Sequence, residues 1–304
     1  MIDLRNIETF YWAAALGSLR AASEKLGTTQ PAISQRIASL EGSLGVRLFD
    51  RASRGVKLTA KGHELLVHAE RMIQARNDII QAAGDKSAIG GRFHLGVAET
   101  IVQTWLPHLI AEVYNAYPAL TIDIEVETSD NLQALLMSRR IGLAFLMGPV
   151  LEARVENRPL CTYPLAWVSR ADVDFGPEPV PLERIASRPI ITYGSSSTPY
   201  RQVRDMLRRA GISSPRMVGS ASLSMIVKMV LDGIGTAVIT PSFLREELEN
   251  NSLKVVQVDA DPLQDLNFTA SWVDGPEAQA ARVIARIAEQ VAATGGSVRQ
   301  QEIG

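Results

Sequence analysis

Gln30, Ser34 and Gln35 fall within six residues of one another, with no lysine or glutamate between them. Amide and hydroxyl groups so spaced can read the edges of bases. A glutamine pairs two-pronged with adenine and a serine serves several bases, provided that a helix carries them into a major groove. Arg51 and Arg54 follow on either side of Ala52-Ser53. Two arginines at one loop tip could reach phosphates or a narrow minor groove, where the negative potential is enhanced. A second group is hydroxyl-rich: Glu99-Thr100, Thr128-Ser129, Ser195-Ser196-Ser197-Thr198 and Ser220-Ala221-Ser222. Hydroxyls and amide donors at helix starts suit a small carboxylate, because the helix dipole favours an anion there. Serine and threonine are equally the common helix caps. Glu99 could pair with the cationic group of an amino acid or amine, or simply favour the first turn of its own helix.

Catalytic chemistry finds no comparable support. There is no G-x-S-x-G elbow beside Ser195 to Ser197, and His63, His68, His94 and His108 all lie upstream of that loop. His63 and His68 are five apart without an H-E-x-x-H motif, and Cys161 is the only cysteine, so no intrachain disulfide or cysteine-based metal cluster can form. Gly233-Ile234-Gly235 follows a predicted helix and precedes a strand, the reverse of the order a dinucleotide-binding loop requires. The expectation is a protein that is not an enzyme and needs no cofactor or metal.

The elements that must carry these groups can be read from periodicity and punctuation. Leu4, Ile7, Phe10, Tyr11 and Ala14 recur at helical steps up to Gly17; Leu19 to Leu26 forms a second helix that breaks at Gly27. Thr28 or Thr29 caps a third, with Pro31 in its first turn. Ile33, Ile37, Leu40 and Leu44 make its inward stripe, which leaves Pro31, Ser34, Gln35, Ala38 and Gly42 outside and Gln30 at the amino end. Two helices across a short turn form a helix-turn-helix, and Leu48 to Asp50 with Val56 to Leu58 reads as a hairpin wing. Thr59 then caps a rod reaching about Ala83. Leu65, Met72 and Ile79 repeat every seven residues there, as do Leu66, Ile73 and Ile80, a double seam for a second helix or for the chain's own body. After Gly84 to Gly91, a linker, strands and helices alternate to the end, which predicts two α/β lobes with mainly parallel sheets.

Charge supports a division of labour. Residues 1 to 62 hold nine Lys/Arg against five acids, a net of +4, and the remaining 242 residues carry −6. A basic head on an acidic body points to a polyanion at the head. The length of 304 residues, with 46% apolar and 21% charged, belongs to a folded chain of two or three units. No run of 18 apolar residues occurs, and Asp3 and Glu8 interrupt the start, so neither a membrane span nor an export signal is expected and the cytoplasm is the predicted compartment.

The stretches Ser18-Leu19-Arg20-Ala21-Ala22-Ser23-Glu24-Lys25-Leu26, Thr29-Gln30-Pro31-Ala32-Ile33-Ser34-Gln35-Arg36-Ile37, Leu44-Gly45-Val46-Arg47-Leu48-Phe49-Asp50-Arg51 and Leu58-Thr59-Ala60-Lys61-Gly62 resemble the LysR-type transcriptional regulators. Leu223 to Pro241 is similar to that family's second effector lobe, so the resemblance covers nearly the whole chain. It implies a multi-domain protein: a winged helix-turn-helix over 1–58, a dimerisation helix and hinge over 59–89, and a two-lobed α/β effector domain over 90–304 that resembles periplasmic binding proteins. Lobe one takes about 90–160 plus 268–304 and lobe two about 161–267. Carried over by position, Thr29, Gln30, Pro31, Ser34 and Gln35 form the DNA face, with Arg36 on phosphate or paired with Glu41 and Arg51 and Arg54 on the backbone or minor groove. Leu65, Leu66, Met72, Ile73, Ile79 and Ile80 would serve dimerisation.

Ligands of open α/β sheets bind beyond the carboxyl ends of the strands. That rule nominates Glu99, Thr100, Thr128, Ser129, Met147, Gly148, Ser195, Ser196, Thr198 and Ser222 for a small effector, an amino acid or organic acid. The expected partners are double-stranded promoter DNA, this effector, further copies in a homodimer or homotetramer, and RNA polymerase. The effector would favour one closure angle of the lobes, and the dimer contacts would pass this to the DNA heads. The competing reading is a cytoplasmic ligand-binding α/β protein or enzyme with an incidental basic head.

Overall fold

The computed structural model describes residues 2–50, 56–82, 90–275 and 278–300, and, within these, the side chains of all but 78, 80–82 and 295–300. Arg51, Arg54 and the side chain of Ile80 therefore lie outside the described residues, as does most of the predicted linker.

The head is built as local signals dictate. Helix α1 (Leu4–Ala15) starts where Asp3 accepts the N–H of Arg5, and α2 (Leu19–Lys25) where Ser18 accepts that of Ala21. Gly27, at φ 58°, turns the chain, and Thr29 caps α3 (Gln30–Leu44), which ends at Gly45 with φ 68°. Strands β1 (Phe49–Asp50) and β2 (Lys57–Leu58) pair antiparallel as the base of the wing. Helix α4 (Ala60–Ala82) leaves it as a rod about 34 Å long. Phe10, Ile33, Leu40, Leu48 and Ile73 pack into one buried core, so α4 begins as part of the head.

Lobe one opens with β3 (Gly91–Val97), the single turn α5 (Glu99–Val102) and α6 (Leu106–Ala116). The sequence predicts one helix from Val102 to Tyr114. It breaks at Gln103 to Trp105, and Pro107 occupies the first turn of the new helix, where a missing N–H costs nothing. Next come β4 (Leu120–Val126), α7 (Ser129–Met137), β5 (Leu143–Met147) and β6 (Val155–Tyr163). Lobe two contains β7 (Ala166–Arg170), β8 (Val180–Pro181), α8 (Leu182–Ala186), β9 (Ile190–Tyr193), α9 (Thr198–Arg209), β10 (Met217–Ser220), α10 (Leu223–Leu231), β11 (Thr236–Ile239), α11 (Arg245–Glu249), β12 (Leu253–Val256) and β13 (Val258–Asp259). The chain then returns to lobe one through β14 (Leu266–Val273) and α12 (Ala278–Gln300).

The two main sheets run β4-β3-β5-β14-β6 and β10-β9-β11-β7-β12. In each, four of the five strands run in one sense and one runs against them: β3 pairs parallel with β4 and β5, and β14 is antiparallel to both β5 and β6. In lobe two β9 lies parallel to β10 and β11, and β7 antiparallel to β11 and β12. The antiparallel members are those beside the crossovers, which enter and leave each lobe in opposite senses. Residues 155–163 belong to this pattern. The sequence places the first crossing over 148 to 165, whereas β6 is a nine-residue edge strand of lobe one and β14 joins the same sheet from Leu266. One apolar core fills lobe one, and two smaller ones cover the faces of the lobe two sheet.

Candidate functional site

On the head, Gln30, Pro31, Ser34, Gln35, Ala38 and Gly42 are exposed along one side of α3, while Ile33, Ile37 and Leu40 are buried on the other. The hydroxyl of Ser34 donates to Gln30 O at 3.2 Å, which commits its proton to the helix backbone and leaves its lone pairs to accept. Thr29 is the cap: its Oγ1 accepts the N–H of Ala32 at 3.4 Å. Glu41 corrects one expectation. Its carboxylate takes the N–H groups of Leu48 (2.7 Å) and Phe49 (3.3 Å) and the guanidinium of Arg47 (3.1 Å), fastening the wing to α3, and makes no pair with Arg36.

The double seam on α4 separates into two rows of different use. Ile73 is 1% exposed inside the head's own core, with Ala69 beside it and Leu66 packed against it. Ile73 is thus withdrawn from any partner helix, because α1 reaches that side of α4 first. In the other row Leu65 packs on the head, but Met72 (48%) and Ile79 (70%) stand exposed, as does Val67. Leu65 and Met72 line an apolar groove of about 190 Å³ together with Ile2, Phe10, Leu44 and Leu48.

Between the lobes lies a cavity of about 410 Å³. Four strand-to-helix turns open onto it, because α5, α7, α9 and α10 each follow a strand of the parallel parts of the sheets. Glu99, Thr100, Thr128, Ser129, Met147, Ser196, Thr198 and Ser222 line it. Several of their hydroxyls are spent on capping: Thr128 accepts the N–H of Asn131, Ser197 that of Tyr200 and Ser222 that of Met225. Ser129 Oγ accepts the N–H of Met147 at 3.0 Å and so ties α7 to β5. Arg201 grips the lobe two loop by donating to Ser196 O and to Thr198 Oγ1.

Two nominated residues stand outside the lining. Gly148 packs on β14: its N–H donates to Asn267 O, and an added Cβ would overlap Thr269 Oγ1. Its glycine answers that close approach rather than a ligand. Ser195 is exposed, and the cavity is reached instead by its neighbours Gly194 and Ser196.

The reading from sequence misses Val126, Asp130, Tyr193, Pro199, Leu223, Leu266 and Phe268, all of which line the cavity. Asp130 adjoins a nominated loop, and Tyr193 ends the strand before one. Leu266 and Phe268 arrive from β14, more than 100 residues after the first loop, and carry no local signal. Tyr193 packs against the cores of both lobes, and burial first, then the nearby Glu99 charge, pushes its phenol well above the ordinary tyrosine range. It is held neutral. Glu99 reaches across the cavity: its Oε1 accepts the N–H of Leu223 at 2.9 Å and faces Ser222 Oγ at 3.5 Å. A lobe one carboxylate therefore closes the amino end of α10 in lobe two, where charge-assisted bonds and the helix dipole both favour it. Glu127 Oε2 takes Asn131 Nδ2 at 2.8 Å. Among the described residues the lining thus holds three carboxylates, Glu99, Glu127 and Asp130, all from lobe one, and no lysine or arginine.

Comparison with known proteins gives a consistent result. Residues 4–63 match the model of the bacterial regulatory helix-turn-helix protein, lysR family, and residues 86–292 that of the LysR substrate binding domain. The transcriptional regulator YofA of Bacillus subtilis is 26% identical over 237 residues, 78% of this chain and 81% of that protein. A cysteine-to-aspartate variant of full-length OxyR from Pseudomonas aeruginosa has a similar fold, with a TM-score of 0.63 at 22% identity over 95% of each chain. So does a cysteine-to-serine variant of Corynebacterium glutamicum OxyR with H2O2 bound, with a TM-score of 0.53 at 24% identity over 97% of this chain and 96% of that one.

Proposed function

The chain belongs to the LysR family of transcriptional regulators, DNA-binding proteins with an effector domain rather than enzymes, and on that premise we propose that its effector is an amino acid. One observation carries this: the division of polar chemistry across the cavity. Lobe one presents Glu99, Glu127 and Asp130, and lobe two presents the hydroxyl-bearing residues Ser196, Ser197 and Thr198 at the start of α9. An organic acid without an amine would meet three carboxylates uncompensated by any lining cation. An amino acid turns its ammonium to lobe one and its carboxylate to the start of α9, and so favours the closed angle of the lobes. Glu99 and Glu127 each spend one oxygen within the protein and keep a second.

Peroxide sensing, which the H2O2-bound OxyR neighbour brings to mind, receives no support from this chain. Cys161 is its only cysteine, and burial pushes the thiol above its ordinary range, which keeps it protonated and a poor nucleophile.

At the head, Gln30, Ser34 and Gln35 read base edges with Pro31 packed against them, while Arg36 meets phosphate and Arg51 and Arg54 meet the backbone or the minor groove. Met72 and Ile79 form the dimer seam, two dimers make the tetramer, and RNA polymerase is the downstream partner. Among the described residues no helix is long and apolar enough to cross a membrane.

A thermal-shift screen pairing each amino acid with its amine and its carboxylic acid halves tests the effector class. Amino acids should raise the melting temperature where neither half does so. An organic acid that stabilises as strongly would overturn the reading.

A further inference from the structure

Glu70, halfway along α4 and with a side chain only 18% exposed, is approached by two arginines of lobe one: Arg154 Nη2 at 2.7 Å and Arg139 Nη2 at 3.8 Å. Both arginines occupy left-handed backbone, with φ 66° and 56°. Residues with a Cβ disfavour that region, and where they keep it the surroundings demand it. The third such residue among those described, Asn251, is of a type that tolerates the conformation. Local turns set both backbones: Arg139 ends α7 in the left-handed position, with its N–H on Leu136 O and that of Arg140 on Leu135 O, and Arg154 sits in the turn closed by Val155 N–H on Glu152 O. The junction is marked by both guanidiniums meeting at one carboxylate. Gly275 completes it: with φ 153° its backbone comes so close that a Cβ would lie 2.9 Å from Arg139 Nη1, 3.3 Å from Glu70 Oε1 and 3.4 Å from Tyr11 Oη. The Arg139 guanidinium also sits 6.0 Å from the ring centroid of Tyr11, in α1 of the head. The Glu70 bond raises the Arg154 guanidinium further above its ordinary range.

Arg139 lies two residues beyond the end of α7. The other end of α7 lines the effector cavity through Ser129 and Asp130, and Leu132 and Leu136 are fully buried between the two ends. Nine helical residues span about 13 Å as one stiff body. We propose that α7 is the lever connecting the cavity to the DNA head, with Glu70, Arg139 and Arg154 as the positioning residues that transmit its movement to α4 and α1. This rests on the functional reading only in taking the cavity as the regulatory site. It gives the signal a route within one subunit, besides contacts between subunits.

A double-mutant cycle on the full chain tests the lever without an identified effector. Glu99→Ala perturbs the cavity, and Glu70→Gln or Arg139→Asn breaks the junction, asparagine being compatible with left-handed backbone. The first readout is affinity for a duplex enriched by the wild-type chain from a random pool. The second, made without DNA, is amide exchange across residues 4–15 and 60–82. Separated sites ordinarily act independently. With an intact junction, Glu99→Ala should change affinity about fivefold or more, the lower end of allosteric couplings, and alter exchange in both helices. In either broken-junction background both effects should fall below about twofold, at the level of ordinary additivity. Equal effects in all backgrounds, or no exchange change in any, would overturn the lever. A chain that enriches no duplex contradicts the functional reading instead, and the exchange cycle alone then decides this inference.

Discussion

Glu99 Oε1 accepts the backbone N–H of Leu223 at 2.9 Å, across 124 positions of sequence and from one lobe to the other. The bond joins a carboxylate to an unsatisfied donor at a helix start, so it resists opening of the cavity. Replacing Glu99 with alanine should cost about 1 to 2 kcal/mol of closure, as a charge-assisted bond does. Glu99→Gln keeps a neutral acceptor and should fall between. Hydrogen exchange at the Leu223 amide is the direct reporter: it should quicken in Glu99→Ala, and an unchanged rate would show that the latch is not held in solution.

The two rows on α4 should separate cleanly on mutation. Met72→Glu and Ile79→Glu place charge on the exposed row and should lower the oligomeric state in sedimentation velocity while leaving the head's unfolding midpoint nearly unchanged. Ile73→Ala opens a cavity in a full core and should destabilise the head by about 2 to 5 kcal/mol. If Met72→Glu and Ile79→Glu together leave assembly intact, the seam lies elsewhere.

Cys161 should react slowly with iodoacetamide near neutral pH, since burial holds its thiol in the protonated form. The folded chain thus binds this proton more tightly than the unfolded one. The associated stability is complete below the ordinary thiol range and is lost as pH rises through and above it. Urea titrations of wild type and Cys161→Ala between about pH 7 and 10, a window that spans the ordinary thiol range, should show a steeper alkaline decline in the wild type; parallel declines would contradict the assignment.

Gly148 should tolerate no side chain. Gly148→Ala drives a methyl into Thr269, a buried residue on β14 bonded to Ser271, and should cost about 1 to 3 kcal/mol through overpacking. Thr269→Ala, by removing the Oγ1 that the new methyl meets, should recover part of that loss. A stable Gly148→Ala protein would mean that β5 and β14 separate more readily than their packing implies.

How much was legible in advance depends on how local each feature is. The α3 face is readable because 3.6-residue periodicity alone separates Ile33, Ile37 and Leu40 from Gln30, Ser34 and Gln35. The cleft loops are readable because strand-to-helix turns follow a general rule of α/β sheets. What stays hidden is long-range. Nothing near Ile73 tells whether α1 or a second copy covers it, since an apolar heptad row suits either. Nothing near Glu99 announces the start of α10, and a first-turn glutamate fits its own helix equally well. Edge strand β6 and the reversed strand β14 escape for the same reason, because their partners are decided by where the chain crosses between lobes. Leu266 and Phe268 reach the cavity only as a result of that crossing.

The central claim, that the uncharged outer side of α3 reads sequence, is tested most directly by sequencing the duplexes that the purified chain enriches from a random pool, beside those enriched by Gln30→Ala and Gln35→Ala. The wild type should enrich an interrupted inverted repeat. Each variant should lose preference at one base pair per half-site, by about 1 to 3 kcal/mol, and keep the rest. Identical enriched sequences from all three proteins would contradict the claim.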